Sequence, residues 1–334
     1  MSDTLMQLGL FASKSIIIFL LVAGLFVTFF ALLAKGKAGS KGMLRIKNLN
    51  DTLDEQTESL YAETLPKKQF KAFLKSKKAA DKLKAASNEK PKNVYVLDFH
   101  GDMKASAVGA LSEEITAVLS VATPQDEIVL RLESAGGYVH SYGLAAAQLM
   151  RIREKNIPLT ITIDKIAASG GYLMACVGNK VLSAPFAIIG SIGVLVQIPN
   201  FHRILKDKHV DFVQLTAGEY KRTVTMFGEN TEAGREKLKQ EIEEVHQLFK
   251  NLIKTNRPHI DIQKVATGEH WLGQQAITLN LVDSIQTSDA YLLERRTCAN
   301  LYEISYETRK SFLTKLTSSA SHMREKLLNL SLYQ

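Results

Sequence analysis

The first run of the chain with a clear pattern is apolar without interruption. Ser15–Ala34 (SIIIFLLVAGLFVTFFALLA) is twenty residues long, carries no charge and is bracketed by Lys14 and Lys35. A helix of that length rises about 1.5 Å per residue and spans roughly 30 Å, the hydrocarbon thickness of a bilayer. The run is too long for a typical signal-peptide core, and no small-x-small cleavage site follows it. Residues 1–35 are therefore expected to be one uncleaved transmembrane anchor. A second apolar stretch, Val181–Pro199, is interrupted by Pro185, Gly190, Ser191 and Gly193. That punctuation predicts a buried strand with a glycine-rich turn, not a second span.

Residues 36–91 show no apolar face wide enough for a core and are expected to form a polar, lysine-rich stalk. From residue 92 strand and helix periods alternate. Asn93–Phe99, Glu127–Leu132 and Leu159–Ile163 read as buried strands. Helical spacing covers Ala107–Val121 and Val139–Glu154, and another helix opens near Ser169. A helix after Pro199, a strand over Asp211–Leu215 and a long charged helix over Thr231–Thr255 follow. Such alternation predicts an α/β domain over residues 92–290. Residues 291–334 turn polar and read as a C-terminal tail.

The chain has 334 residues and a formal charge of +8, and its apolar content of 46% excludes disorder as the main state. The charge is local. Residues 66–92 carry ten lysines against Asp81 and Glu89, which accounts for the whole excess. That segment has no arginine and only Phe70 and Phe73 as aromatics, a poor nucleic-acid surface but one suited to anionic lipid head groups. Two cysteines, Cys176 and Cys298, exclude a disulfide scaffold and a cysteine-rich zinc module.

Two strand ends break into glycine-bearing turns that enter helices: Glu133-Ser134-Ala135-Gly136-Gly137-Tyr138 and Ala167-Ala168-Ser169-Gly170-Gly171-Tyr172. Strand C-termini in α/β sheets present free backbone N–H groups and helix N-termini to ligands. A serine opening a helix among small residues exposes its Oγ, and a second Gly-Gly turn can aim backbone donors at the same point. These are the parts of an acyl-transfer site, a nucleophile with an oxyanion hole. Either turn alone is equally an ordinary tight turn. G-x-G-x-x-G is absent and no Walker lysine follows, so nucleotide binding gains no support. None of the eight histidines pairs with Ser169 by spacing, and Lys221 by residue type alone is a solvated loop lysine. Reasoning from residue types leaves the base open.

The run from Leu132 through Asp164–Tyr172 (D-x-x-A-A-S-G-G-Y), Gly190-Ser191-Ile192-Gly193, Lys221 and Ala266–Ala276 (ATGEHWLGQQA) resembles the signal peptide peptidase A family of serine proteases over roughly residues 92–285. The resemblance implies a ClpP/crotonase-like fold and a Ser-Lys dyad without metal or cofactor. Ser169 would be the nucleophile, Lys221 the general base, Ser191 the residue that orients Lys221, and Gly136 and Gly170 the oxyanion-hole donors. Ala135 stands where the family commonly has proline. A free lysine titrates near 10.4, so such a base must be desolvated to work near neutral pH. Lys165, nearer in sequence, reads as a turn residue.

The resemblance further implies peptide or unfolded polypeptide substrates, such as signal-peptide remnants and misfolded membrane proteins. It also implies a homo-oligomeric ring, with eight copies for a chain of this length and the dyad shared between protomers. It points to a bacterial inner-membrane protein whose catalytic domain faces the periplasm. Lys35, Lys37, Lys41, Arg45 and Lys47 follow the span and favour the cytoplasmic side instead. Two other readings are an acyl-CoA enzyme of crotonase type and a catalytically silent membrane scaffold of the same fold. The first leaves Ser169 and Lys221 without a role, and intact motifs weigh against the second.

Overall fold

The computed structural model describes residues 2–37, 42–86 and 92–307 and divides the chain into two units, residues 1–43 with 307–334, and residues 44–306. The first unit contains helix α1 (Ser2–Lys37). The expected span Ser15–Ala34 falls within it, its last five side chains lying outside the described residues. Among the described residues no helix is long and apolar enough to cross a membrane.

The second unit is an α/β body around one large, mostly parallel sheet. Its elements run β1 (Met43–Asn48), α2 (Leu49–Thr64), α3 (Lys67–Ala86), β2 (Lys92–Gly101), α4 (Val108–Leu119), β3 (Glu127–Ser134), α5 (Val139–Glu154), β4 (Leu159–Ile163), β5 (Ile166–Ala168) and α6 (Gly170–Ala175). They continue through β6 (Lys180–Ser183), β7 (Ile188–Gly190), α7 (His202–Asp207), α8 (Glu232–Asn256), α9 (Ile262–Val265), β8 (His270–Leu272), α10 (Gly273–Ala276), β9 (Ser284–Ile285), α11 (Ser288–Arg295) and β10 (Ala299–Glu307). The main sheet has the order β1-β10-β2-β3-β4-β6-β9, and β5, β7 and β8 branch from it through the pairing of β5 with β3.

Period-two alternation on strands buried from both sides generates two apolar faces. Leu97, Phe99, Leu130, Leu132, Ile161 and Ile163 point into the larger core, which α4, α5 and α6 cover. Val94, Val96, Val129 and Leu182 point the other way, against Tyr291 and Leu292 of α11. The in-register pairs Leu97↔Leu130 and Leu130↔Ile161 keep each set on its own side. A one-residue slip would send both sets to the wrong face.

Three expectations differ from the structure. The polar segment 36–91 contributes β1 to the sheet, and α2 and α3 form a hairpin whose seam is Lys77 between Glu58 at 2.6 Å and Asp54 at 2.9 Å. Tyr61 meets Phe73 edge-on across it. Asp54 in turn pairs with Arg296, and the Asn50 side chain bonds the backbone of Ala299 and Leu301. Polar contacts thus do much of the fastening, beside the packing of Leu44 and Leu49 on the two cores. Residues 299–307, which polarity assigns to the tail, form β10 between β1 and β2. Its Glu303 pairs with Arg131 of β3, a compensation invisible to hydropathy. The rest of the expected tail, 308–334, lies outside the described residues. Third, Asp211–Leu215 forms no strand, because no sheet neighbour pairs with it among the described residues.

One buried charge tests this packing. Glu114 on α4 is 5% exposed; Oε1 accepts the Tyr306 N–H of β10 at 2.7 Å, while Oε2 has no hydrogen-bond partner among the described residues. Burial pushes its carboxyl up to about 7, the Tyr306 N–H opposes that, and the Asp98 charge adds to it. An acid raised in the folded state favours folding below its unfolded value near 4.5. That stability is lost as pH rises from there through about 7. Urea unfolding of the wild type should therefore weaken by on the order of 2–3 kcal/mol between about pH 5 and pH 8. Glu114→Gln should flatten that slope; an unchanged slope would mean that Glu114 stays ionised in the fold.

Candidate active site

Three turns that are far apart in sequence meet because their strands are neighbours. Ser134, the last residue of β3, pairs with Ala167 of β5, so the turn after β3 stands beside the turn after β5. Ala168 pairs with Gly190 of β7, which brings the Ser191 turn alongside. Ser169 follows immediately, between β5 and α6. Its backbone sits at φ 52° and ψ −118°, a region that L-residues rarely enter and that costs about 1–3 kcal/mol. The surroundings hold it there. The Ser169 N–H donates to the Gly190 carbonyl at 2.8 Å, and the Leu173 N–H donates to the Ser169 carbonyl at 2.9 Å.

The glycines around Ser169 are steric necessities. A Cβ on Gly136 (φ 91°) would stand 2.7 Å from the Gly170 nitrogen and 2.8 Å from the Ser169 Cβ. A Cβ on Gly170 would meet the Tyr142 ring at 2.4 Å, and one on Gly171 would meet the Ser134 carbonyl oxygen at 2.4 Å. Two turns read separately in the sequence are thus pressed backbone to backbone at the nucleophile candidate. Gly170 opens α6, where the first N–H groups have no partner within the helix.

Gly136 lies where the motif places it, but its N–H donates to the Ser134 Oγ at 3.0 Å. That proton is spent inside the loop, which departs from the expectation of Gly136 as an oxyanion donor. The next amide, Gly137, borders the same cavity as Ser169 and Gly170, and its N–H has no hydrogen-bond partner among the described residues. Sequence reasoning missed Gly137, although the Gly-Gly pair was the signal, because spacing cannot tell which of two adjacent amides turns inward.

The cavity beside Ser169 has a volume of about 310 Å³ and is mainly apolar. Leu173 contributes from α6, Val194 from the chain after the Ser191 turn, and Val245, Leu248, Phe249 and Leu252 from α8. Those four α8 positions follow helical i, i+3, i+4, i+7 spacing. They were legible as one face of a helix otherwise dominated by charge, but not as the wall of a site.

Ser191 is half-buried at φ 50°, and its N–H donates to the Glu269 carbonyl at 2.7 Å. Gly268 donates back to the Ile192 carbonyl at 3.1 Å, so the ATGEHW segment clamps the Ser191 turn. Lys221 is a different matter. It is exposed, in a stretch between α7 and α8 without regular structure. Among the described residues no hydrogen bond joins it to Ser169 or Ser191. The structure therefore brings Ser169, Gly170, Gly136 and Ser191 together within one chain and leaves Lys221 outside. Lys165 is exposed and paired with Glu133 at 3.0 Å.

The stretch around Lys221 carries a conspicuous exposed apolar surface. Leu195, Val213 and Leu215 are turned to solvent, Leu215 at 92%. Within it, Phe227 packs against Phe201 and Phe212 at ring separations of 6.0 and 5.8 Å.

Comparison with known proteins agrees with the motif reading. The model for Peptidase family S49 N-terminal matches residues 3–149, and that for Peptidase family S49 matches residues 151–301. The chain is 47% identical to the "Probable protease SohB" of Haemophilus influenzae over 96% of this chain and 94% of that one. It is 52% identical to the protein of the same name from Buchnera aphidicola of Acyrthosiphon pisum over 73% of each. Among solved structures it is similar to a point mutant of a "1510-N membrane-bound stomatin-specific protease" at 14% identity and a TM-score of 0.41, covering 62% of this chain and 86% of that one.

The steric account predicts opposite outcomes for two glycines. Gly170→Ala should destabilise by about 1–3 kcal/mol, because the Tyr142 ring must move. Gly109→Ala on α4, where a Cβ meets nothing within 4 Å, should stabilise by up to about 1 kcal/mol. Urea midpoints of the two variants decide it, and a neutral Gly170→Ala would show that the two turns are less crowded than described.

Proposed function

This chain belongs to peptidase family S49, and on that premise we propose that it is a membrane-anchored serine endopeptidase working through a Ser169–Lys221 dyad in a ClpP/crotonase-like fold. The observation that carries the reading is Ser169 held in a left-handed turn, at the edge of an apolar cavity, beside amides that have no partner among the described residues. Strain of that kind persists only where the surrounding structure over-determines it, and it presents Oγ clear of the helix that follows.

In the proposed reaction a neutral Lys221 takes the Ser169 Oγ proton as Oγ attacks the substrate carbonyl carbon. The carbonyl electron pair moves onto oxygen, which the N–H groups of Gly170 and Gly137 receive, and Gly136 supplies the turn that lets Gly137 approach. The lysine then returns the proton to the leaving amine. Water attacks the resulting ester with Lys221 again as base and frees Ser169. Ser191 orients the amine in this scheme. The cavity lined by Leu173, Val245 and Phe249 accepts a small or apolar side chain next to the cut. This suits signal-peptide remnants and misfolded membrane-proximal polypeptides.

Lys221 is exposed in the single chain, and a lysine base must be desolvated. We assign that desolvation to assembly. The apolar surface around Leu195, Val213 and Leu215 packs on the next copy in a homo-oligomeric ring, eight copies being the expected number, and delivers Lys221 to a neighbour's Ser169. Anchoring rests on α1, where Ile16, Phe19, Leu25 and Val27 are exposed and Thr28 Oγ1 donates to the Gly24 carbonyl at 3.0 Å and the Leu25 carbonyl at 2.9 Å. A hydroxyl satisfied by its own helix is compatible with lipid. The body is placed on the periplasmic side of a bacterial inner membrane on the family resemblance, against the lysine count after the span.

Full-length protein in detergent should be labelled by a fluorophosphonate probe and should cleave a fluorogenic peptide bearing leucine before the scissile bond. Ser169→Ala and Lys221→Ala should each lose both signals by at least about 10³-fold. Mixing the two variants should restore activity if the dyad is shared between protomers. Wild-type protein that is assembled yet silent in both assays would overturn the protease reading in favour of a scaffold.

A further inference from the structure

Beneath the Ser169 turn runs a chain of hydrogen bonds whose direction is dictated by its ends. The Gly136 N–H can only donate, and it donates to the Ser134 Oγ at 3.0 Å. The Asp102 carbonyl can only accept, and it accepts the Tyr142 hydroxyl at 2.8 Å. The link between them, Ser134 Oγ to Tyr142 Oη at 2.6 Å, could by itself run either way. Since the Tyr142 proton is committed to Asp102, the Ser134 hydroxyl must donate to Tyr142. Each hydroxyl then gives one bond and receives one, so neither is free to rotate.

We propose that Tyr142 is a positioning residue that fixes both halves of the oxyanion hole at once, an inference that rests on the serine-protease reading of Ser169. Its hydroxyl orders one half. By taking the Ser134 proton it leaves an Oγ lone pair for the Gly136 N–H, turning that amide inward to the loop and leaving Gly137 as the donor at the cavity. Its ring orders the other half, because it lies directly under Gly170, close enough that any side chain there would strike it.

Two further observations show a built arrangement. Gly101 ends β2 at a point where a Cβ would stand 2.4 Å from both the Ser134 Oγ and the Tyr142 Oη, so glycine there is what allows the two hydroxyls to meet. The turn after it is braced a second time, by the Tyr138 N–H donating to the Met103 carbonyl at 2.9 Å. Tyr142 is fully buried on α5 with its ring edge-on to Phe99. Burial holds its hydroxyl above the ordinary phenol range, despite the bond from Ser134, so it keeps the proton it gives to Asp102 at neutral pH. Ser134 does not line the cavity beside Ser169, whereas Tyr142 borders it, and both act on the oxyanion hole indirectly, through the Gly136 and Gly170 backbone.

Tyr142→Phe deletes one oxygen and keeps the ring. Losing an oxyanion donor outright costs about 10²–10³ in kcat. A displaced donor should cost less, so Tyr142→Phe and Ser134→Ala in the full-length protein are each expected to lower kcat on the leucine peptide about tenfold while KM moves little. Fluorophosphonate labelling of Ser169 should slow in parallel, because phosphonylation also places an oxygen on those amides. The double variant should be no worse than the worse single one, since both cut the same chain.

A Tyr142→Phe enzyme with wild-type kcat would overturn the proposal. So would a loss that appears in KM, or one that multiplies with Ser134→Ala. Wild-type protein showing neither hydrolysis nor Ser169-dependent labelling would instead remove the reading on which the proposal stands, and the proposal with it.

Discussion

The fold is organised around a strained residue. Ser169 can occupy its left-handed conformation only because Gly190 offers a carbonyl to its N–H, and because Gly136, Gly170 and Gly171 leave room for two loops to touch. Each condition is a demand on the sheet. Gly190 is in place because β7 pairs with β5, and Gly136 because β5 pairs with β3. The large apolar core beneath these short strands supplies the stability that holds the strain in place. The site is a property of strand register more than of any loop considered alone.

That dependence explains what the sequence could and could not reveal. Parallel strands buried on both faces leave continuous apolar runs, so strands over Leu159–Ile163 and Glu127–Leu132 were legible in the pattern, as was α5 from its spacing. Ser169 was legible from a motif whose small residues have the steric reason now evident. What escaped had its compensation elsewhere in the chain. β10 looked polar because Glu303 answers Arg131, and α2 and α3 looked like a stalk because Asp54 answers Lys77 and Arg296. No local pattern reports partners such as Arg131 for Glu303 or Arg296 for Asp54, which lie more than a hundred residues away.

Within the site, residue types were easier to read than directions. The pair Gly136-Gly137 announced backbone donors without saying which amide is committed to Ser134. Tyr142, the fourth residue of α5, carries no sequence signal that sets it apart from a core aromatic, and its ring is one. Lys221 marks the opposite limit. Its motif was recognisable, yet the single chain leaves it exposed, in a stretch with apolar side chains turned to solvent.

The position of β10 also bears on how the molecule is made. β1 begins at residue 43, and its sheet neighbour ends at residue 307. A ribosome must therefore synthesise nearly the whole chain before that edge of the sheet can close. Until then β1 and the outer side of β2 present unpaired backbone at the same time as the apolar α1. A nascent chain in that state is a ready partner for other strands. Among the described residues β10 is the last strand to emerge, and it is the one that ends the exposure.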